Sequence, residues 1–310
     1  MATVLLASST VTDWNSTNIW VSATLPTVGD HVYAENVTTT ISTGPSGTND
    51  VLFASLNFDA SYIGLCGGST APLGVMATDV NIGYHYGSGS PAGSGRINLD
   101  LSGGTSHTSA GRITVFDTAN SPQDDDRDPV RIVTDSTYHT LEVRSGSVGV
   151  ATNVAGETAT LSAVEISFVE SVDDDAAVNV GPGVTLSTLK QLGGDNVVQC
   201  AATTVDAQAG TLLLVGSGAY TNMHIGRAAK VYPESSGAIT QMYVAGEIDM
   251  TRSNETRTVT NVALFDGCTF RADWQVVALT NGLDLTQTRL QDCTVELGRN
   301  FNIPTLVAIA

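Results

Sequence analysis

The feature that most limits what this chain can fold into is a loose internal repeat. Phe265-Asp266-Gly267-Cys268-Thr269-Phe270 and Leu290-Gln291-Asp292-Cys293-Thr294-Val295 align, Cys-Thr upon Cys-Thr. Each places an apolar residue three positions before a Cys-Thr-apolar run. Comparable short strands start near Leu141, Leu161, Leu186, Val205, Met223, Ile239, Val262 and Leu285, at uneven gaps. A mean step of about 21 residues has few physical explanations. Leucine-rich repeats need a fixed Leu/Asn ladder, helical repeats need helices, and a propeller blade needs roughly 40 residues. None of these fits.

What remains is a β-solenoid, each coil stacked about 4.8 Å above the last. Equivalent residues of neighbouring coils, such as Cys268 and Cys293, then face the same way. Composition agrees. Charged residues are 14% and aromatics 6% of the chain, and Thr, Ser, Val, Gly and Ala fill the difference. Val and Thr suit pleated strands, while Gly clusters such as Gly181-Pro182-Gly183 and Gly216-Ser217-Gly218 suit corners. The expected fold is all-β: a right-handed parallel β-helix with an N-terminal β-rich cap domain.

Three segments follow. Residues 1–129 read as a β-rich cap or docking region, with strands around Val51–Phe58, Ala77–Tyr86 and Ile113–Phe116. Residues 130–300 read as the β-helix, after the acidic run Asp124-Asp125-Asp126-Arg127-Asp128. Residues 301–310 form an apolar tail. A cap is expected because the end of a solenoid exposes an unpaired strand edge.

Net charge is −18, and the only lysines are Lys190 and Lys230. Such a surface repels phosphate backbones and anionic lipid, which argues against nucleic-acid and membrane partners. No stretch approaches the roughly 20 apolar residues of a membrane span. The start has no basic region before a long apolar run, so no signal peptide is expected. Cys66, Cys200, Cys268 and Cys293 lack metal-ligand spacing and are expected as thiols in a reducing cytoplasm. The sequons at Asn15, Asn36 and Asn254 are what chance supplies in a Thr-rich chain.

Chemistry-bearing motifs are weak. The runs Asp124–Asp128 and Asp173–Asp175 read as solvated turns rather than calcium or catalytic centres. Ser187-Thr188-Leu189-Lys190 matches the Ser-x-x-Lys pattern, but that chemistry needs one helical turn. In a strand, positions i and i+3 point to opposite faces. Gly87–Gly95 shares only glycine content with phosphate loops. His31, His85, His107, His139 and His224 show no ligand spacing. Tyr84-His85-Tyr86 is the most aromatic stretch and reads as an edge strand, with a sugar-stacking or partner surface as the alternative. Trp14 and Trp20 read as core, with an exposed docking patch as the alternative. Polysaccharide-degrading β-helix enzymes carry Gly-His-Gly or Arg-Ile-Lys elements; Arg96-Ile97-Asn98 matches two of three positions in one. No catalytic, cofactor or metal residue is assigned, and no enzyme is expected.

Several stretches in this order resemble a group of tailed-phage structural proteins with a β cap followed by a parallel β-helix. They are Trp14…Asn18-Ile19-Trp20…Pro26…Gly29-Asp30-x-Val32, Leu56-Asn57-Phe58, Gly93-Ser94-Gly95-Arg96-Ile97-Asn98-Leu99, Val148-Gly149-Val150-Ala151 and Thr258-Val259-Thr260-Asn261. The resemblance spans nearly the whole chain and implies a virion component on the capsid surface. The expectation is a homotrimeric decoration or cement protein binding the major capsid protein through its N-terminal portion. A tail fibre or baseplate spike is the alternative within that class, and a carbohydrate-binding or depolymerising protein the alternative outside it.

Overall fold

Among the described residues, every strand pair whose register is resolved is parallel and joins one repeat to the next. That arrangement is seen in a computed structural model described at residues 1–45, 51–68, 71–84, 96–102, 111–118, 129–134, 137–152, 155–167, 178–273, 275–287 and 292–298. Among these residues the chain is all-β, with 23 strands and one 3-10 helix, Thr17–Ile19. No helix among them is long and apolar enough to cross a membrane. By compactness the chain divides into two units. One comprises Met1–Ser162 and Val169–Val184, the other Ala163–Phe168 and Thr185–Ala310.

In the first unit two parallel ladders alternate along the sequence. One runs Thr3–Leu5, His31–Ala34, Leu52–Asp59, Met76–Tyr84, Gly111–Val115 and Thr137–Val143. The other runs Leu73–Gly74, Ile97–Asp100, Val130–Val133, Val148–Val150 and Val178–Val180. Parallel register sets each residue over its equivalent, so one inward position becomes a column of apolar side chains. Val32, Leu56, Val80, Ile113 and Leu141 form one such column, and Leu99, Ile132, Val150 and Val180 another; all are buried. Each full burial stabilises by about 1.5–3 kcal/mol.

The expected N-terminal cap is not set apart by its pairing. Parallel register begins at Thr3↔His31 and crosses position 130 through Ile97↔Val130 and Gly111↔Tyr138. The strands expected at 51–58, 77–86 and 113–116 fall on the ladder strands Leu52–Asp59, Met76–Tyr84 and Gly111–Val115, with 85 and 86 outside the described residues. The acidic run 124–128 and the tail 301–310 lie outside the described residues. The exposed edge that called for a cap is covered locally. Leu6 and Trp20 form an antiparallel bridge, flanked by Ala7 N–H to the Ile19 carbonyl (2.7 Å) and Val21 N–H to the Leu5 carbonyl (3.0 Å). Beneath it Trp14 meets Trp20 edge-on at 4.9 Å and Phe53 at 5.7 Å.

The second unit repeats the scheme. Val184–Gln191, the first half of Ala202–Leu214, the first half of Tyr220–Pro233, Ile239–Val244 and Arg257–Phe265 pair in order. Leu283–Gln287 follows. Its central column is Leu189, Val205, Met223, Met242 and Val262, all buried. The steps along that column, shortest from Leu189 to Val205 and longest from Met242 to Val262, fall inside the spread read from sequence. The second ladder joins Asp195–Val198, the latter halves of the two long strands, Glu247–Asp249, Thr269–Ala272 and Thr294–Leu297. Corners bring backbones close together. A Cβ on Gly237 would lie 1.8 Å from the Gly218 carbonyl oxygen, so glycine is required there.

Candidate binding surfaces

A turn at the start of the chain is built to display apolar residues. The Asp30 carboxylate accepts the Ala2 N–H at 2.8 Å, the Thr27 N–H at 2.9 Å and the Thr27 hydroxyl at 2.9 Å. The Ala2 bond, then the Thr27 bond, holds its pKa below the ordinary carboxylate value. Gly29, at φ +81°, completes a turn that few other residues could make. Val28 stands on this turn 65% exposed, and Val21, hydrogen-bonded through its backbone to Leu5, is 64% exposed. Leu5, Leu25, Ile63 and Leu65 are also exposed. Among the described residues, every exposed large hydrophobic except Leu192 precedes residue 70. Isolated exposed apolar residues are ordinary, and what distinguishes these is that they share one segment.

The large aromatic residues of the same segment are mostly core. Trp14, Trp20, Phe53, Phe58 and Tyr62 are all buried, as the core reading of the tryptophans expected. Tyr62 spends its hydroxyl on the Thr39 carbonyl at 2.8 Å, and burial pushes its pKa up. Tyr33, by contrast, is half-buried. His85 and Tyr86, and the Tyr84 side chain, lie outside the described residues. The exposed aliphatics could not be singled out from sequence, because nothing local separates a Val on a turn from a Val in a core. The Pro26-Thr27-Val28-Gly29-Asp30 run was the one usable signal.

A second surface lies on the outer face of the second unit. Lys190, Asp206, His224, Tyr243, Ala263 and Asp284 are register partners in consecutive strands. His224 and Tyr243 stack with centroids 4.7 Å apart and planes 9° from parallel. Beside them Asn281 donates to Asn261 Oδ1 at 2.7 Å, and Asn261 donates to Gln241 Oε1 at 3.0 Å. The arrangement is a polar wall carrying one aromatic step.

The other candidate residues do not converge. Ser187 is exposed and Lys190 half-buried, with two successive outward residues, Ser187 and Thr188, interrupting the strand's alternation. They therefore do not point to opposite faces as a regular strand would require, yet they are not on one helical turn either. His31 Nδ1 lies 2.8 Å from Ser55 Oγ, a pairing of neighbouring rungs. Among the described residues no three His, Cys, Asp or Glu side chains are grouped to hold a metal ion. Asp124–Asp128, Asp173–Asp175, Gly87–Gly95, His107 and the His139 side chain lie outside the described residues. No family model, curated protein or solved structure matches the chain.

Proposed function

We propose that the chain is a right-handed parallel β-helix that serves as a non-enzymatic structural component of a tailed-phage particle. In this reading it is a homotrimeric decoration protein that docks on the major capsid protein through its N-terminal portion. The observation that carries the docking assignment is the concentration of exposed Leu5, Val21, Leu25, Val28, Ile63 and Leu65 before residue 70. Apolar side chains at the centre of a contact, ringed by polar ones, are what a stable interface requires. The net charge of −18 favours a basic rim on the shell and makes encounter salt-sensitive. Three-fold closure suits a shell and prevents runaway assembly.

Deleting the chain from Met1 through Ala60 would be a poor test, since Trp14, Trp20 and Phe53 are core and Leu52–Asp59 pairs with Met76–Tyr84. The better variant is Val21→Asp/Val28→Asp in the full chain. Both residues are exposed, so circular dichroism should stay unchanged. Co-sedimentation with undecorated phage heads should weaken by about 100-fold, the scale expected for hot-spot side chains. Binding equal to wild type would overturn N-terminal docking, and a monomer on the shell would overturn the trimer.

The His224–Tyr243 stack favours a second reading, in which the outer wall binds a saccharide. Aromatic faces with neighbouring amides offer both stacking and hydrogen bonds to a sugar. Glycan-array binding lost in Tyr243→Ala supports this reading, and an array without signal removes it.

A further inference from the structure

The described end of the second unit carries two cysteines placed to be joined. Cys268 and Cys293 each immediately precede strands that pair in parallel, Thr269–Ala272 and Thr294–Leu297, in the register Thr269↔Thr294. The Thr294 N–H donates to the Cys268 carbonyl at 2.9 Å, fixing the two backbones side by side. Their Sγ atoms lie 3.1 Å apart, and neither is in a disulfide. Neighbouring parallel positions hold Cα atoms about 4.8 Å apart, inside the span that a disulfide bridges. The other two cysteines, Cys66 and Cys200, are buried in different rungs.

We infer that Cys268 and Cys293 form a reversible disulfide, closed by a low-molecular-weight disulfide such as oxidised glutathione, that staples Thr294–Leu297 to the preceding rung. The need for such a staple is visible in the strand itself. Thr294 and Glu296 are exposed and Val295 and Leu297 only half-buried, so burial holds this strand far less than the rungs before it. Arg271 Nε to Glu296 Oε2 at 3.0 Å is an exposed ion pair and adds little.

The chemistry balances in two exchanges. Cys293, the more accessible thiol, loses its proton to solvent. Its sulfur attacks one sulfur of oxidised glutathione, giving a Cys293–glutathione mixed disulfide and one glutathione thiolate, which takes up a proton. Cys268 then loses its proton, and its sulfur attacks Cys293 Sγ and expels the second glutathione. Two protein thiols are oxidised and one small disulfide is reduced to two thiols. Cys293 is half-buried where Cys268 is buried, which assigns the first attack to Cys293. Burial pushes the Cys268 thiol up to about 12, which makes the second step slow. Proximity compensates, since the second sulfur is already at contact distance. The staple is independent of what the N-terminal surface or the outer wall binds.

The test uses the full chain, incubated with oxidised glutathione at about pH 8.5, where ordinary thiols are half ionised. It is then alkylated and digested for mass spectrometry. A linked peptide joining Cys268 to Cys293, reversed by dithiothreitol, is expected. Cys268→Ser should stop at the Cys293–glutathione adduct; if that variant does not fold, the wild-type peptide map still decides. Amide exchange at 294–297 should slow by about tenfold in the oxidised protein, as local opening is suppressed. Two alkylated thiols, or a glutathione adduct that persists on wild-type Cys293, overturns the disulfide. A linked peptide with unchanged exchange overturns the staple.

Discussion

Arg131 places its guanidinium Nη2 3.2 Å from Glu157 Oε1, with the two side chains only 3% and 10% exposed. Arg131 stands on Val130–Val133 and also reaches Asn98 Oδ1 at 3.4 Å on the neighbouring rung. Its column, Asn98, Gly149 and Asn179, lies between apolar ones, and a buried cation persists there because acceptors surround it. Removing one partner leaves charge uncompensated in low dielectric. Glu157→Ala should therefore lower stability by about 3 kcal/mol, read from the chemical-unfolding midpoint. A change below about 0.5 kcal/mol would mean that Asn98 and other acceptors suffice.

Asp30 predicts an acid limb. Its folded-state pKa lies below the unfolded value, so the stability it contributes is fully present above the unfolded pKa. That contribution is lost as pH falls through the lowered folded pKa. Asp30→Asn should cost about 1–2 kcal/mol near neutral pH, because an amide replaces the carboxylate's two acceptor oxygens with one. The difference in Tm between variant and wild type should shrink as unfolding is followed from about pH 7 to about pH 2. A gap of constant size would show that the carboxylate charge is not what holds the turn.

Met242 tests the inner column. It is wholly buried between register partners Met223 and Val262. Met242→Ala should cost about 2–4 kcal/mol through lost burial and the cavity left behind. Thr240→Ala, exposed two positions earlier, should stay within about 0.5 kcal/mol. Equal effects at the two positions would contradict the assignment of inner and outer faces.

Gly237 tests the corner. With the Gly218 carbonyl oxygen 1.8 Å from where a Cβ would sit, Gly237→Ala forces two backbones apart. A loss of about 3 kcal/mol is expected in thermal or chemical unfolding, with exchange protection falling at Tyr220 and Ile239 on the adjoining rungs. A neutral substitution would mean that the corner relaxes freely.

The sequence by itself determined the parallel strand repeat in the second unit and the pairing of its landmarks. The repeat was legible there because the corners are short, so apolar positions recur before the pattern drifts. Cys268 and Cys293 fall on neighbouring rungs for that reason. Before position 130 the chain hid the same scheme. Asp79 pairs with Arg112 and Ile97 with Val130, steps far longer than that from Leu189 to Val205. Long connections of uneven length erase any period. Only the tertiary structure decided that Thr3–Leu5 opens a parallel ladder and that Val21 and Val28 face outward. Burial depends on which distant strand arrives over a residue. A single strand's alternation fixes which side chains share a face, but not which face the next rung will cover.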